Sequence, residues 1–346
     1  MRKPWRLASI GLASLCGVAA TSTTFAGNMQ PPPGSLCMSQ NQLYEALLDA
    51  LYATFGNHPG FRVAHAKGVL VAGSFTASAE AKTLSRAEHL QGQVVPVVMR
   101  FSNFSGIPST VDGDPTASPH GLAVRFSLPD GAVTDIVTHS FNGFPVATPE
   151  DFLSFLQGIA ATVGDSPDSE PLDAFLAGHP QARRFLETPK PAPQSYAGLE
   201  YFGVNTFWLL NKEGQQKAVR YRIEPLQDLP VLRDEEAAQK PPDYLQAELS
   251  ERLAKGRVKL RLVVQLASDE DNLVDGSVAW PQSNEEVELG TFTLDALIPT
   301  VEQQPSQQRL DFNPGRLLDG VAASNDPMIV ARQLIYESAM ERRNQH

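Results

Sequence analysis

Two side chains near the end of the chain are spaced to make an anionic oxygen ligand. Arg332 and Tyr336 are four residues apart, so on a helix they are neighbours on one face, with Cβ atoms roughly 5–6 Å apart. Arg343 follows two turns later and keeps to that face. A guanidinium beside a phenol favours the charged phenolate, the form able to bind iron. Spacing alone fits a surface tyrosine with an incidental arginine equally well, because helices carry many such pairs. Far upstream, His65 lies in Arg62-Val63-Ala64-His65-Ala66-Lys67-Gly68 at the edge of a β-rich run. An imidazole is suited to taking and returning a proton, although a lone histidine beside a strand is by itself as readily a core or surface residue.

The elements that would position these groups are legible from patterning. Asn325-Asp326-Pro327 is a helix start, a capping side chain followed by proline in the first turn. The helix it opens can run to the basic pair Arg342 and Arg343, which complements the dipole. Leu43, Ala46, Leu47, Ala50 and Leu51 share one face of a helix over Asn41 to Phe55. Thr148-Pro149-Glu150-Asp151 opens another carrying Phe152, Phe155, Leu156 and Ile159, and Asp243–Ala254 forms a further one. Between them lie short β-rich runs punctuated by Gly, Pro and Asp: Gly68–Phe75, Val94–Phe101, Gly121–Leu128, Asp135–Phe141, Thr206–Leu210, Lys217–Ile223, Arg257–Ala267 and Glu286–Leu294. Eight such segments predict a closed or nearly closed antiparallel sheet, which removes exposed edges.

With 42% hydrophobic and 19% charged residues in 346, the chain has enough apolar material for a folded core. Arg2, Lys3 and Arg6 precede an uncharged run from Leu7 to Ala20, too short to span a bilayer, which reads as an export signal of residues 1–26 with cleavage after Ala26. Export to the periplasm without a membrane anchor is the expectation. A linker of residues 27–40 and a single domain of residues 41–346 would follow. Loss of the signal removes three basic and no acidic side chains, taking the formal charge from −11 to −14. Such a chain repels phosphate backbones, so nucleic-acid binding is disfavoured. Cys16 would leave with the signal, and Cys37 alone can form neither an internal disulfide nor a thiolate metal site.

Taken with its context, the last helix says more. Phe312-Asn313-Pro314-Gly315-Arg316-Leu317-Leu318-Asp319-Gly320-Val321, then Ser324-Asn325-Asp326-Pro327 and Arg332-x-x-x-Tyr336, resembles the proximal haem segment of catalases. The His65 segment is similar to the strand carrying the distal histidine in that family. The resemblance continues through Arg100-Phe101-Ser102, Asp135-Ile136-Val137, Phe144-Pro145-Val146, the helix start at Pro149 to Phe152, and Trp280-Pro281. It implies an α+β fold, a catalase-like antiparallel eight-stranded β-barrel with surrounding helices, lacking the C-terminal helical domain. It also implies haem b, with Tyr336 as axial ligand, Arg332 holding it as tyrosinate, and His65 as acid and base bonded to Ser102. Arg62, Arg100 and Arg343 would bind the propionates, and Phe144 and Phe152 would lie near the distal face.

Where catalases have an asparagine opposite the haem, this chain has His139 or Ser140, depending on the alignment, with Asn142 one strand repeat further along. A second peroxide would then be held poorly. The chain also ends soon after Tyr336, so the family's wrapping segment and its nicotinamide site are not expected, and a monomer or small homo-oligomer is. These departures resemble the compact catalase-related peroxidases. The function implied is reduction of hydrogen peroxide or organic hydroperoxides by an external electron donor. True catalase activity, isomerisation of a fatty-acid hydroperoxide, and haem binding without catalysis stay open as alternatives. His58, His89, His120, His179 and His346 are read as surface or packing residues, and Asp234-Glu235-Glu236 and Asp269-Glu270-Asp271 as solvated loops.

Overall fold

Val95, Val97, Met99 and Phe101 are buried while Val94 and Pro96 between them face solvent. That period of two is what a strand with one face on a core requires. In the computed structural model, which describes residues 38–345 except 164–165 and 228, this pattern recurs around a closed sheet. The strands are β1 (Gly68–Ala77), β2 (Val94–Ser102), β3 (Gly121–Ser127), β4 (Val133–His139), β5 (Tyr201–Phe202), β6 (Phe207–Leu210), β7 (Gln216–Pro225), β8 (Val258–Leu266), β9 (Glu286–Leu297) and β10 (Val321–Ala323). Pairing runs β1–β2–β3–β4–β5–β7–β8–β9 and back to β1, an antiparallel barrel of eight strands. Phe75, Phe126 and Phe292 fill its interior with ring centroids 4.9 to 5.8 Å apart. Gly73 marks the register shift on β1, where a Cβ would stand 2.4 Å from the Thr293 carbonyl oxygen.

One predicted strand is not a stave of the barrel. Thr206–Leu210 forms β6, which pairs with the first half of β7 and carries β10 outside the ring. The eighth stave is the two-residue β5, whose Tyr201 and Phe202 bridge β4 to the second half of β7. Two residues are too short for a periodicity to show. The expected export signal, Cys16, Cys37 and most of the expected linker fall outside the described residues. No helix among those described is long and apolar enough to cross a membrane.

Outside the barrel, the helix Gln40–Phe55 begins at a Ser39 and Gln42 capping box. Its Leu43, Leu47 and Ala50 pack with Leu153 and Leu156 of the helix Pro149–Ala161 and with Ala331 and Ile335 of the last helix, Pro327–Asn344. Patterning did not indicate the helices Glu170–Gly178, Pro180–Glu187 and Thr300–Arg309. Asp234–Glu236, read as a loop, is the first turn of a short helix, Asp234–Ala238, where acidic side chains suit the dipole.

The segment from Asp311 to Arg316 is locked to the barrel by a carboxylate with no solvent exposure. Asp135 on β4 takes Arg125 Nε and Nη2 at 2.8 Å each, accepts from the Asn313 amide at 2.9 Å, and pairs with Arg316. Thr134 Oγ1 donates to the Arg316 carbonyl at 2.7 Å, and Asp311 pairs with both arginines. Behind β2, Asn103 joins Asp112 (2.8 Å), His120 (3.1 Å) and Tyr196 (2.7 Å) in a buried network.

Asp135→Asn leaves Arg125 and Arg316 sharing only Asp311, so we expect a loss of about 3 kcal/mol in unfolding free energy, read from urea denaturation. Burial holds His89, packed on Phe126, at a pKa of about 4 against 6.5 for the free side chain. Its contribution to stability is therefore complete above pH 6.5 and lost as pH falls toward 4. His89→Leu should flatten that acid decline by up to about 1.4 kcal/mol per pH unit; an unchanged slope would show that this imidazole does not drive it.

Candidate functional site

The turn carrying His65 is held by the strand end beside it. His65 has φ +56°, the left-handed region, which costs a non-glycine residue of order 1–3 kcal/mol unless its surroundings enforce it. Here the His65 amide donates to the Phe104 carbonyl at 2.8 Å, and Ala66 and Asn103 make flanking bonds to Ser105 and Lys67 at 3.0 Å. Arg100 Nη2 donates to the His65 carbonyl at 2.8 Å and to that of Ala66 at 3.2 Å. The imidazole is set in turn: Nδ1 is 3.2 Å from Ser102 Oγ and the ring meets Phe104 edge-on at 5.5 Å. Burial, with Arg100 and His139 adding to it, lowers the His65 pKa to about 3, so the ring is a neutral base at ordinary pH.

Register builds the floor under that ring. Ser102 pairs with Gly121, and Gly121 with His139. Directly paired residues project from the same face of a sheet, so these three form one row across β2, β3 and β4. Gly121 provides the gap, since a Cβ there would lie 2.6 Å from Ser102 Oγ and 2.8 Å from His65 Nδ1. His139 is therefore the member of the His139 and Ser140 pair on the His65 side. Ser140 turns away, its Oγ accepting from the His120 amide at 2.9 Å. Both ring nitrogens of His139 are shielded from solvent and have no hydrogen-bond partner among the described residues. Burial, then the charges of Arg332 and Lys190, hold it near a pKa of 3.

Arg62, Arg100 and Arg343 converge with no carboxylate paired to any of them among the described residues. They donate to neutral groups: Arg62 to the Leu310 carbonyl at 2.6 Å, Arg343 to that of Gln308 at 3.1 Å, and Arg100 Nε to Gln307 Oε1 at 2.9 Å. Arg62 Nε and Arg343 Nε are buried with no partner among the described residues. Burial followed by the charges of Arg100 and Arg343 pushes the Arg62 guanidinium well below its usual value, and burial brings Arg100 to about 9. Tyr336 lies two turns before Arg343 on the same helix, Pro327–Asn344.

On the last helix Arg332 Nη2 donates to Tyr336 Oη at 3.1 Å. Arg332 also bonds Asn205, whose amide donates at 2.6 Å to Asp326, the helix N-cap. Asn205 thus fixes both the start of the helix and the arginine that faces the tyrosine. Phe144 lines a cavity with Arg332, Val204 and Met328. Phe152 reaches that group only through Phe144, at 5.0 Å, and otherwise packs with Phe155 and the helical cluster. The structure therefore gathers Arg62, His65, Arg100, Ser102, His139, Arg332, Tyr336 and Arg343, with Phe144 beside them and Phe152 behind.

Three residues of this arrangement escaped the sequence. Gly121 carried a signal, a glycine opening a β-rich run, which marks close approach. Gln307 lies on the polar helix Thr300–Arg309, with no apolar stripe to betray it, and Asn205 lies between strands.

A catalase family profile matches residues 33–345. A catalase-related peroxidase of Mycolicibacterium paratuberculosis is 36% identical over 311 residues, covering 88% of this chain and 96% of the relative. One of Synechococcus elongatus is 32% identical over 344 residues, covering 97% and 93%. Catalase-2 of Bacillus subtilis is 28% identical over 299 residues, 80% of this chain but 42% of that one. A fungal catalase structure superposes with a TM-score of 0.73 at 22% identity, covering 86% of this chain and 62% of the other, which shows a shared fold. Its eight-stranded barrel, the matched span and these relatives together place the chain in the catalase family.

Proposed function

We propose that this chain holds haem b between His65 and Tyr336 and works as a peroxidase, reducing hydrogen peroxide or organic hydroperoxides with electrons from an external donor. The observation that carries the reading is the convergence of three carboxylate-free guanidiniums beside a phenol and a neutral imidazole. A group that brings two carboxylates of its own, and a metal able to take a phenolate, fits that set. Arg62, Arg100 and Arg343 would take the propionates, compensating charges whose burial is otherwise costly. Tyr336 would hold the iron, with the Arg332 guanidinium stabilising the phenolate through its hydrogen bond to Oη.

Haem, when bound, supplies the redox chemistry that breaks the peroxide O–O bond. The protein supplies the proton handling. With His65 Nδ1 tied to Ser102, Nε2 is the nitrogen left to take a proton from the bound peroxide oxygen and return it to the departing one. Burial keeps that imidazole uncharged, so Nε2 carries a lone pair. His139, in the same row as Ser102 across Gly121, is a further hydrogen-bonding group on that face.

Purified protein reconstituted with haemin should show a Soret band with the high-spin ferric features of phenolate ligation. Tyr336→Phe should abolish those features, and a spectrum unchanged by that substitution would refute the ligand assignment. His65→Gln should keep the absorbance but lower peroxide turnover roughly 10²–10⁴-fold. Oxygen release matching peroxide loss, with no need of a reducing dye, would replace the peroxidase reading with dismutation.

A further inference from the structure

Lys190 is a half-buried ammonium with no carboxylate partner among the described residues, in a protein of net charge −11. Two of its three donors are directed at the carbonyls of Phe185 and Thr188, the second at 3.1 Å, which leaves one free. The ammonium stands 4.8 Å from the ring centroid of Phe141 and 5.0 Å from that of Phe185. Those two rings meet edge to face at 5.3 Å.

Each ring leads back to the site already described. Phe141 is two residues beyond His139 on the same stretch of chain. Phe185 is 6.4 Å from Phe104, and Phe104 is 5.5 Å from the His65 ring. Among the described residues this series of side chains thus has two imidazoles at one end, one of them with both nitrogens unpartnered, packed aromatic rings between, and a cation without a carboxylate partner at the other end. A ligand meeting those groups in turn would carry a polar hydroxylic head, an apolar body and an anionic tail.

We propose that Lys190, with Phe141 and Phe185, is a subsite for the carboxylate of an amphipathic organic hydroperoxide whose hydroperoxy group is hydrogen-bonded by His139 beside His65. The proposal rests on the peroxidase reading for its reacting group, and on the geometry of Lys190 for its charge preference. A cation is needed for such a ligand, because the acidic surface would otherwise repel an anion.

The haem-loaded protein can be tested with cumene hydroperoxide and its 4-carboxylate. The carboxylate should show a KM roughly tenfold lower than the neutral compound, the scale of one charge-assisted hydrogen bond. Lys190→Met should remove that preference and Lys190→Arg should keep most of it. Independently of turnover, Soret-monitored titration should give tighter binding of 4-isopropylbenzoate than of 4-isopropylbenzamide, a difference that shrinks with added salt and vanishes in Lys190→Met. Equal affinity of the acid and the amide in the unsubstituted protein, or a preference that survives Lys190→Met, would overturn the subsite. Failure to consume any peroxide would refute the peroxidase reading instead, while the titration still decides the role of Lys190.

Discussion

Asp135 ties the two halves of the site together. Its carboxylate is inside the protein on β4, yet it is satisfied by Arg125 from the neighbouring strand, by Arg316 and by the Asn313 amide. The barrel and the segment leading into the last helix are thereby one rigid object. That segment is braced against the helix as well: Asn313 Nδ2 lies 3.4 Å from Glu337, and Gly315 leaves room for Gln333. A buried ion pair is poor evidence of stability in general. Its worth here is positional, because it fixes where Tyr336 stands relative to the barrel strand that carries Ser102 and the turn that carries His65.

The arginines of the site show the opposite regime. Arg125 and Arg316 are neutralised by carboxylates of the chain, whereas Arg62, Arg100 and Arg343 rest on carbonyls and a glutamine amide and push one another's affinity for protons down. A chain with 39 acidic side chains has no shortage of counter-ions. Among the described residues these three guanidiniums go without them, and under the proposed function that charge meets the propionates. Arg100 serves two ends, since it also holds the carbonyl of the left-handed His65. The conformation of the turn carrying His65 and the charge of the cluster are therefore coupled through one side chain.

Much of this was legible in one dimension, for reasons tied to particular residues. Gly68–Ala77 and Val94–Ser102 announce themselves because a half-buried strand must alternate, and Asp326-Pro327 because a helix start needs a side-chain acceptor and tolerates a missing amide. Arg332 and Tyr336 meet because four residues make about one turn. Tyr201–Phe202 is too short for any period. The placing of Phe207–Leu210 outside the ring is a matter of which half of β7 it pairs with, which no local pattern records.

The sequence by itself determined the family, the staves with long alternation, and the meeting of Arg332 with Tyr336 on one helix face, since local periodicity and a long matching motif are properties of adjacent residues. Only the tertiary structure decided that His139 rather than Ser140 shares a row with Ser102 and Gly121, that Gln307 and Asn205 support the arginines, and that three guanidiniums lack carboxylates. Those facts depend on register between strands and on partners up to about two hundred residues away in the chain. Register and pairing are fixed by the packing of the whole barrel, not by any segment of it.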